Sequence, residues 1–308
     1  MKNFIIKLTL TFILPLILLL CALEWVLRSI PNDYAFKDEM LSEKCAEVQL
    51  LSFGSSHGHY GIRPDCFHLS AFNMGMPSQS IKYDHFLFYK YIEKCPKLSY
   101  VILPVSYFSL VSELEDGAGW AHAKGYTIYM GYEGNKYSPI YNLELINKEK
   151  YLGLIKCIGR PLTFVTCDSL GWGNKREWGN QKTNCTGLAY NTVQYHSENI
   201  GASIEANVGR LTDIIKTCAE RDIKVILLTT PTHESYYSLL DSTHLALTVQ
   251  TCEKLDAEFS NTTYLNLLKD SSFVYEDFYD PDHLNTIGAA KLTKKLNDVI
   301  VQLGGVRS

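Results

Sequence analysis

The sequence predicts an α/β protein with a three-layer parallel sheet, helices on both faces, and one N-terminal transmembrane helix. Three observations lead to this expectation. Short apolar runs alternate with amphipathic helical patterns, which is typical of a parallel sheet covered by helices. Residues 8–27 form one apolar stretch that is long enough to cross a bilayer. The 308 residues, 46 % of them hydrophobic and 20 % charged, suffice for a substantial buried core.

The apolar stretch reads LTLTFILPLILLLCALEWVL, with Glu24 as its charged residue and Pro15 near its middle. A core helix fits less well, because helices of soluble proteins are rarely apolar on every face. A cleaved signal peptide is the other alternative, but no small-x-small cleavage site follows the stretch. We therefore expect residues 1–29 to be an uncleaved membrane anchor. Residues 30–46 are polar and mixed and are expected to be a short stalk.

The α/β domain is predicted to cover residues 47–308. Strands are expected at 48–53, 71–73, 100–105, 224–230 and 264–267, and helices at 80–92, 203–219 and 245–259. Asn285 or Thr286 is expected to cap a final helix that Gly304 ends. Residues 110–200 break the alternation and are rich in glycine, tyrosine, tryptophan and asparagine. We interpret them as an insertion that builds a lid or a binding surface.

Composition argues against two classes of partner. The formal net charge is only -4 and no long basic run occurs, so a nucleic-acid partner is not expected. None of the nine cysteines forms a C-x-x-C pair, and His57, His59 and His68 lack a carboxylate or cysteine that would complete a metal pattern. We therefore expect no metal and no cofactor. The cysteines are either buried thiols or disulfides, and the sequence leaves both open.

The segment Phe53-Gly54-Ser55-Ser56-His57 carries the first candidate for chemistry. It follows a predicted buried strand, and ligand sites of open parallel sheets lie at that edge. A serine that begins a turn or helix there has its own N–H available to stabilise an oxyanion. Because glycine and serine are common turn residues, an ordinary turn is the alternative.

The segment Asp280-Pro281-Asp282-His283 precedes the last helix, far from Ser56 along the chain. An aspartate three residues before a histidine can orient the imidazole, which can then take a proton from a serine hydroxyl. The alternative is a helix cap, made by Asp280 or Asp282, with His283 simply exposed. That alternative is strongest for Asp282.

Together these segments resemble the SGNH (GDSL-type) hydrolase superfamily. The G-S-S block that ends at Ser56 matches the first block of that family, and Asp280 and His283 match its D-x-x-H block. Gly75, which follows the second strand, matches the second block. The resemblance implies Ser56 as nucleophile, His283 as base, Asp280 as its orienting partner, and the N–H groups of Ser56 and Gly75 as the oxyanion hole.

The sequence departs from the family pattern at two places. Ser55 replaces the aspartate of G-D-S, and no G-x-N-D block follows the third strand, which continues Pro104-Val105-Ser106. The family asparagine would donate to the oxyanion, and losing one such donor costs on the order of a hundredfold in rate. Ser106 is a candidate substitute.

Further residues are expected to contact substrate. Polar candidates at the same edge of the sheet are His57, Asn73, Ser106 and His233. Three tryptophans of the insertion are candidates for stacking on sugar rings: Trp120, Trp172 and Trp178. Packing of the insertion onto the main domain is the alternative for each of these aromatic residues.

The G-S-S-H segment, followed by Gly61-Ile62-Arg63-Pro64, resembles the membrane-anchored branch that includes D-alanine transfer and alginate O-acetylation proteins. This resemblance implies a serine-dependent esterase or O-acyltransferase that acts on acyl groups of cell-envelope polysaccharide. It also implies an acylated glycan and a membrane acyl-donor protein as partners. The domain is expected to be extracytoplasmic on functional grounds, because basic residues flank the anchor almost equally. A non-catalytic protein that binds glycan or scaffolds an acylation complex is the alternative, and a cytosol-facing lipid esterase is a third.

Overall fold

The computed structural model describes residues 2–115, 120–134, 139–156, 161–176, 185–198 and 204–304. The chain forms two compact units. Unit 1 comprises Met1–Phe36 and Ala123–Val165, and unit 2 comprises Lys37–His122 and Thr166–Ser308.

Unit 2 contains a five-stranded sheet in the order β2-β1-β3-β4-β5, and every neighbouring pair is parallel. The strands are β1 (Leu50–Ser52), β2 (Ala71–Asn73), β3 (Tyr100–Pro104), β4 (Lys224–Thr229) and β5 (Thr262–Asn266). In register, Leu50 lies opposite Ala71 and Tyr100, and Tyr100 lies opposite Lys224. The predicted parallel sheet is confirmed.

The helices of the described residues include the four predicted for the α/β domain, close to their predicted positions, and others that the sequence did not predict. They are α1 (Lys2–Leu8), α2 (Leu14–Arg28), α3 (Asp33–Lys44), α4 (Ser56–Gly61), α5 (Ile81–Tyr91), α6 (Trp120–Met130), α7 (Lys148–Lys156), α8 (Cys185–Glu198), α9 (Ile204–Ala219), α10 (Glu234–Tyr237), α11 (Ser242–Glu258) and α12 (Thr286–Leu303). Short 3-10 turns cover Cys45–Glu47, Pro64–Cys66, Ile92–Lys94, Pro139–Asn142, Glu144–Ile146 and Tyr275–Asp277. Asn285 caps α12 by accepting the amides of Ile287 and Gly288.

Both faces of the sheet are buried, as the apolar strands predict. On one face Leu50, Ile102 and Ile226 pack with Leu292 and other apolar residues of α12. The residues that alternate with these along the strands are also buried, and their side chains point to the opposite face of the sheet. On that face α9 packs on β4, and α5 packs on α9. These alternating residues are Leu51, Val101, Leu103, Val225 and Leu227.

The strand order reverses between β1 and β3, because β2 lies on one side of β1 and the later strands lie on the other. The carboxyl ends of parallel strands at such a reversal diverge and leave a crevice, where ligands of open α/β sheets bind. The segments after β1, β3 and β4 carry Ser56, Ser106 and Thr230. The fold therefore brings these three polar residues to one edge.

Unit 1 contains the predicted anchor. A continuous helix spans Lys2–Arg28, with a π-helical stretch at Thr9–Ile13, and its apolar window has a mean hydropathy of 2.5 and is unburied. By length and composition this helix can cross a membrane, and a signal sequence would pass the same test.

Two regions contain more helix than we expected from their composition. Most of the expected stalk forms α3, in which Lys37 and Leu41 are fully buried. The expected insertion contains α6, α7 and α8, and residues 123–165 group with unit 1. Cys45 and Cys95 are buried free thiols whose sulfur atoms lie 2.9 Å apart.

Candidate active site

Ser56 is presented by a tight turn at the end of β1. Gly54 has φ +98°, and a Cβ atom there would lie 2.9 Å from the ring of Pro104, so both conformation and space require glycine. The turn leads into α4, whose first residue is Ser56, while the Ser55 side chain accepts the His57 amide at 3.4 Å. The Ser56 N–H, as the first of the helix, has no acceptor within α4.

Ser56, His283 and Asp280 form a hydrogen-bonded chain. Ser56 Oγ lies 2.7 Å from His283 Nε2, and His283 Nδ1 lies 2.8 Å from Asp280 Oδ1. Both Asp280 and His283 expose 13 % of their side chains. These distances suit transfer of the hydroxyl proton to the imidazole.

The loop before α12 is folded so that it presents His283 to Ser56. Asp280 Oδ1 accepts the backbone amide of His283 at 2.9 Å and that of Asp282 at 3.3 Å. The Tyr279 amide donates to the His283 carbonyl at 2.9 Å, and Phe278 forms a bridge with Leu284. The carboxylate that orients the imidazole therefore also shapes the loop that carries it.

Asp282 lies inside the site, so the alternative in which it caps the last helix is wrong. Its Oδ2 atom lies 3.1 Å from His57 Nε2, and its Oδ1 atom lies 3.3 Å from His283 Nδ1. Asn285 makes the cap instead. The reason is that the turn from residue 279 to 284 directs Asp282 inward, where two imidazoles satisfy its charge.

His57 connects this carboxylate to the ends of two other strands. Its Nδ1 atom lies 2.7 Å from Ser106 Oγ, after β3, and 3.3 Å from Thr230 Oγ1, after β4. The side chain of His57 is 3 % exposed and Ser106 is also buried. His57 therefore binds Asp282, and Ser106 binds His57. We had expected both side chains to contact a substrate, but neither lines the cavity described below.

The electrostatic setting of His283 is dominated by two carboxylates. Burial lowers the pKa of His283, but the charges of Asp282 and Asp280 outweigh burial and raise the pKa to about 9. Burial raises the pKa of both carboxyl groups, yet the charge and hydrogen bond of His283 hold the pKa of each below its usual value. Burial lowers the pKa of His57. Positive charge is thus stabilised on His283, which is where a proton taken from Ser56 would arrive.

Arg176 is the second partner of the Asp280 carboxylate, after His283. Its Nη1 atom donates to Asp280 Oδ2 at 2.7 Å, so each oxygen of Asp280 has a partner. The guanidinium plane stacks on Tyr60 at 3.9 Å and on Tyr279 at 4.7 Å. Stacking between two rings fixes the direction of the guanidinium donor.

Ser56, His283 and Asp280 open onto a cavity of about 470 Å³ in unit 2. A volume of this size suits a small ligand or part of a larger one. His196 lines the cavity beside them, bonded to Tyr236, and burial lowers its pKa to about 4. Other lining residues bring hydroxyl, carboxamide and apolar groups: Ser78, Gln79, Phe108, Leu188, Asn191 and Thr192.

The loop after β2 differs from the expected oxyanion geometry. Asn73 Oδ1 accepts the Gly75 amide at 2.8 Å, which is an Asx turn, and the Asn73 amide donates to Gly58 and Ile62 carbonyl oxygens. Lys37, from α3, donates to the carbonyl oxygens of Asn73 and Gly75. These contacts turn the Gly75 N–H towards Asn73 and bury Asn73 completely, so neither residue faces the cavity.

The remaining expected contacts lie elsewhere or outside the described residues. His233 caps α10 and packs on Phe278, and Trp172 is buried with its Nε1 donating to the Tyr60 carbonyl at 2.8 Å. Neither residue belongs to the cavity lining in the described part of the chain. Trp178 and the side chain of Trp120 lie outside the described residues.

The three histidines that were considered and rejected as a metal site from the sequence, His57, His59 and His68, have different partners. His59 binds Lys37 and His68 binds Asn297, each apart from His57. Within the described residues, His57, Asp282 and His283 do offer ligand atoms within 4.8 Å of one another. The two histidines also lie within hydrogen-bond distance of Ser56, Ser106 and Asp280.

Comparison with known proteins gives distant structural likenesses. No family model matches the chain, and no curated protein matches it. The chain is similar to a GDSL-like lipase from Bacteroides thetaiotaomicron, with 10 % identity, 88 % of this chain and 100 % of that chain covered, and a TM-score of 0.42. It is also similar to a proposed acylhydrolase from Bacteroides fragilis, with 10 % identity, 86 % and 95 % coverage, and a TM-score of 0.42.

A proposed platelet activating factor from Streptococcus pneumonia is similar over 87 % of this chain and 91 % of that chain, with 11 % identity and a TM-score of 0.45. At these identities the function must be inferred from the geometry of the site itself.

Proposed function

We propose that this protein is a serine-dependent esterase or O-acyltransferase that acts on acyl groups of cell-envelope polysaccharide. The observation that carries the proposal is the chain of contacts from Ser56 through His283 to Asp280, opening onto a cavity of about 470 Å³. An activated serine of this kind serves acyl transfer to water or to another hydroxyl.

In the proposed mechanism, Ser56 Oγ attacks the ester carbonyl while His283 Nε2 accepts its proton. The Ser56 N–H stabilises the oxyanion, and Asp280 and Asp282 stabilise the imidazolium. His283 then protonates the leaving alcohol, and the acyl group stays on Ser56. A water molecule or sugar hydroxyl, deprotonated by His283, releases the acyl group and restores Ser56.

The class of substrate is proposed from the cavity and the anchor. Hydroxyl and carboxamide groups line the cavity together with the faces of Phe108 and Leu188, a mixture that suits sugar rings with acyl substituents. The helix Lys2–Arg28 supports attachment to a membrane, and we propose that unit 2 lies on the extracytoplasmic side. A membrane acyl-donor protein is the proposed partner if the reaction is a transfer.

The alternative is a non-catalytic protein that binds glycan or scaffolds an acylation complex, and a separation of Ser56 and His283 too large for contact would support it. Their atoms lie 2.7 Å apart, which favours the enzymatic proposal. The missing G-x-N-D block and the Gly75 amide, which donates to Asn73 and not into the cavity, favour the alternative.

The proposal is tested with the full-length protein in detergent micelles and an O-acetylated envelope polysaccharide. Released acetate is measured for the wild type, Ser56→Ala and His283→Ala, with and without a chelator. We expect each substitution to reduce release by about a thousandfold or more, and the chelator to have no effect. Adding a deacylated acceptor glycan separates the two activities, because transfer diverts acetate to the acceptor. Unchanged release from Ser56→Ala would contradict the mechanism.

A further inference from the structure

In unit 1, three charged side chains are buried, whereas five apolar side chains are exposed. Glu144 is buried, and its carboxylate lies 3.3 Å from the Lys124 ammonium and 3.2 Å from that of Lys150. Five apolar residues of the same segment are exposed instead: Ile140, Tyr141, Ile146, Leu152 and Ile155. Charges inside and a cluster of apolar side chains outside are typical of a surface that contacts another apolar phase.

Three of the exposed residues of α7 share one face, and the exposed Glu149 lies to one side of it. Lys148, Leu152 and Ile155 follow the i, i+4, i+7 spacing of a helical stripe, and Ile155 is 66 % exposed. The opposite side of the helix faces inward, where Lys150 donates to Tyr129 at 2.7 Å. A helix that presents apolar side chains, with a lysine at the N-terminal end of the same face, is typical of segments that lie in a lipid interface, because a long lysine side chain can reach the headgroups.

This segment is fastened to the end of the apolar N-terminal helix. Glu24 accepts the amides of Glu144 and Leu145 at 3.0 and 2.8 Å, and Arg28 donates to the Asn142 carbonyl at 3.2 Å. Lys150 donates to the Leu27 carbonyl at 2.8 Å. The exposed apolar residues therefore lie within a few positions of the residues that bind the C-terminal end of the N-terminal helix.

The length of the N-terminal helix determines how deep in the bilayer residues 24–28 lie. The 27 residues of Lys2–Arg28 extend about 40 Å, whereas the hydrocarbon core of a bilayer is about 30 Å thick. Trp25, which is 72 % exposed, then lies near the level of the headgroups, where tryptophan is enriched.

We propose that the surface formed by Ile140, Tyr141, Ile146, Leu152 and Ile155 is a second membrane contact, inserted into the leaflet that Trp25 reaches. The occupant is the lipid bilayer itself. The inference rests on the proposed membrane anchor, whereas the proposed chemistry of Ser56 does not enter into it. This contact fixes the orientation of unit 1 on the membrane surface, which a single helix followed by a flexible linker would leave free.

The test uses the full chain in liposomes of phosphatidylcholine and phosphatidylglycerol. A fluorescent amino acid replaces Ile155, Ile140 or, as a reference within the span, Leu18. Each protein is exposed to lipids with a doxyl group near the headgroup, to lipids with a doxyl group deep in the acyl chain, which report on Leu18, and, separately, to iodide in the buffer. We expect doxyl lipids to quench all three positions, and the iodide quenching constant at Ile155 and Ile140 to fall several-fold on transfer from detergent micelles to liposomes.

Quenching of Ile155 and Ile140 by iodide alone, with Leu18 quenched by doxyl lipid, would overturn the membrane contact and leave the anchor standing. Quenching of all three positions by iodide alone would remove both. Labelling of Ser56 by a serine-directed probe in the same samples reports the proposed catalytic function independently.

Discussion

The Nε2 atom of His57 lies 3.1 Å from Oδ2 of Asp282, and both side chains are 3 % exposed. The other oxygen of Asp282 faces His283 Nδ1 at 3.3 Å, beside the contact from Asp280. A buried carboxylate is costly unless it is paired, and here two imidazoles pair with it. His283 consequently interacts with two negative charges, which raise its pKa to about 9 against the effect of burial.

Asp282→Asn is predicted to move the pH dependence of serine reactivity to lower pH. His283 must be neutral to accept a proton, so the wild-type rate rises with pH up to about 9. Removing the Asp282 charge lowers the pKa of His283 and moves this rise by at least about one pH unit. The rate of labelling by a fluorophosphonate, measured from acidic to alkaline pH, reports the change. A profile that keeps its position would show that Asp282 does not act on His283.

Arg176→Gln is predicted to move the same profile in the opposite direction. Arg176 bears a positive charge beside Asp280 and lowers the pKa of His283, so its removal raises that pKa. The rise in labelling rate is then expected at higher pH than in the wild type. The two variants form a matched pair, because a merely structural defect would not move the profile in opposite directions.

Asp84→Asn is predicted to make the protein more stable at neutral and alkaline pH. Burial raises the pKa of Asp84 from 3.8 to about 7, while Oδ1 accepts the Gly54 amide and the Gln79 side chain. Between these values the folded state keeps a proton that the unfolded chain has lost, so stability falls as pH rises. A pKa that differs by one between the folded and unfolded states corresponds to about 1.4 kcal/mol in the free energy of unfolding.

Asparagine preserves the acceptor oxygen of Asp84 without the charge. Thermal unfolding in detergent at pH about 5 and about 8 should therefore show a stability difference in the wild type that is smaller in Asp84→Asn. An equal pH dependence in both proteins would contradict the assignment to Asp84.

Gly54→Ala and Gly209→Ala are predicted to change stability in opposite directions. At Gly54 a Cβ atom meets Pro104 at 2.9 Å with φ +98°, so we expect a loss of more than about 2 kcal/mol. Gly209 lies in α9, and a Cβ atom there meets nothing within 4 Å, so alanine should gain about 0.5–1 kcal/mol from helix propensity. Denaturant unfolding in detergent micelles compares the two. Equal effects would show that the turn before Ser56 is not strained.

Ser56, Asp280 and His283 could be predicted because their signals are local. A glycine and serines after an apolar strand, and an aspartate three residues before a histidine, place polar groups at one edge of a parallel sheet. The sheet itself follows from apolar runs such as Tyr100–Pro104, which are buried on both faces. Local patterns of this kind can be recognised in the sequence without knowledge of the tertiary contacts.

Residues whose role depends on distant partners were not predictable in the same way. Arg176 reaches Asp280 across 104 positions of the chain, and nothing in its own neighbourhood marks it. The inward direction of Asp282 depends on His57, 225 positions away, although the D-P-D-H segment does contain the signal of two carboxylates beside one imidazole. Lys37 was assigned to a stalk because its segment is polar, whereas carbonyl oxygens after β2 satisfy its charge in the interior.

The central claim is that His283 activates Ser56, and a serine-directed fluorophosphonate tests it most directly. Full-length wild type, Ser56→Ala, His283→Ala and the neighbouring control Ser55→Ala are incubated with the probe, and the modified residue is mapped by mass spectrometry. We predict modification at Ser56 in the wild type and in Ser55→Ala, and its loss in Ser56→Ala and His283→Ala. A folded wild-type protein that stays unmodified, or that is modified at another serine, would contradict the account.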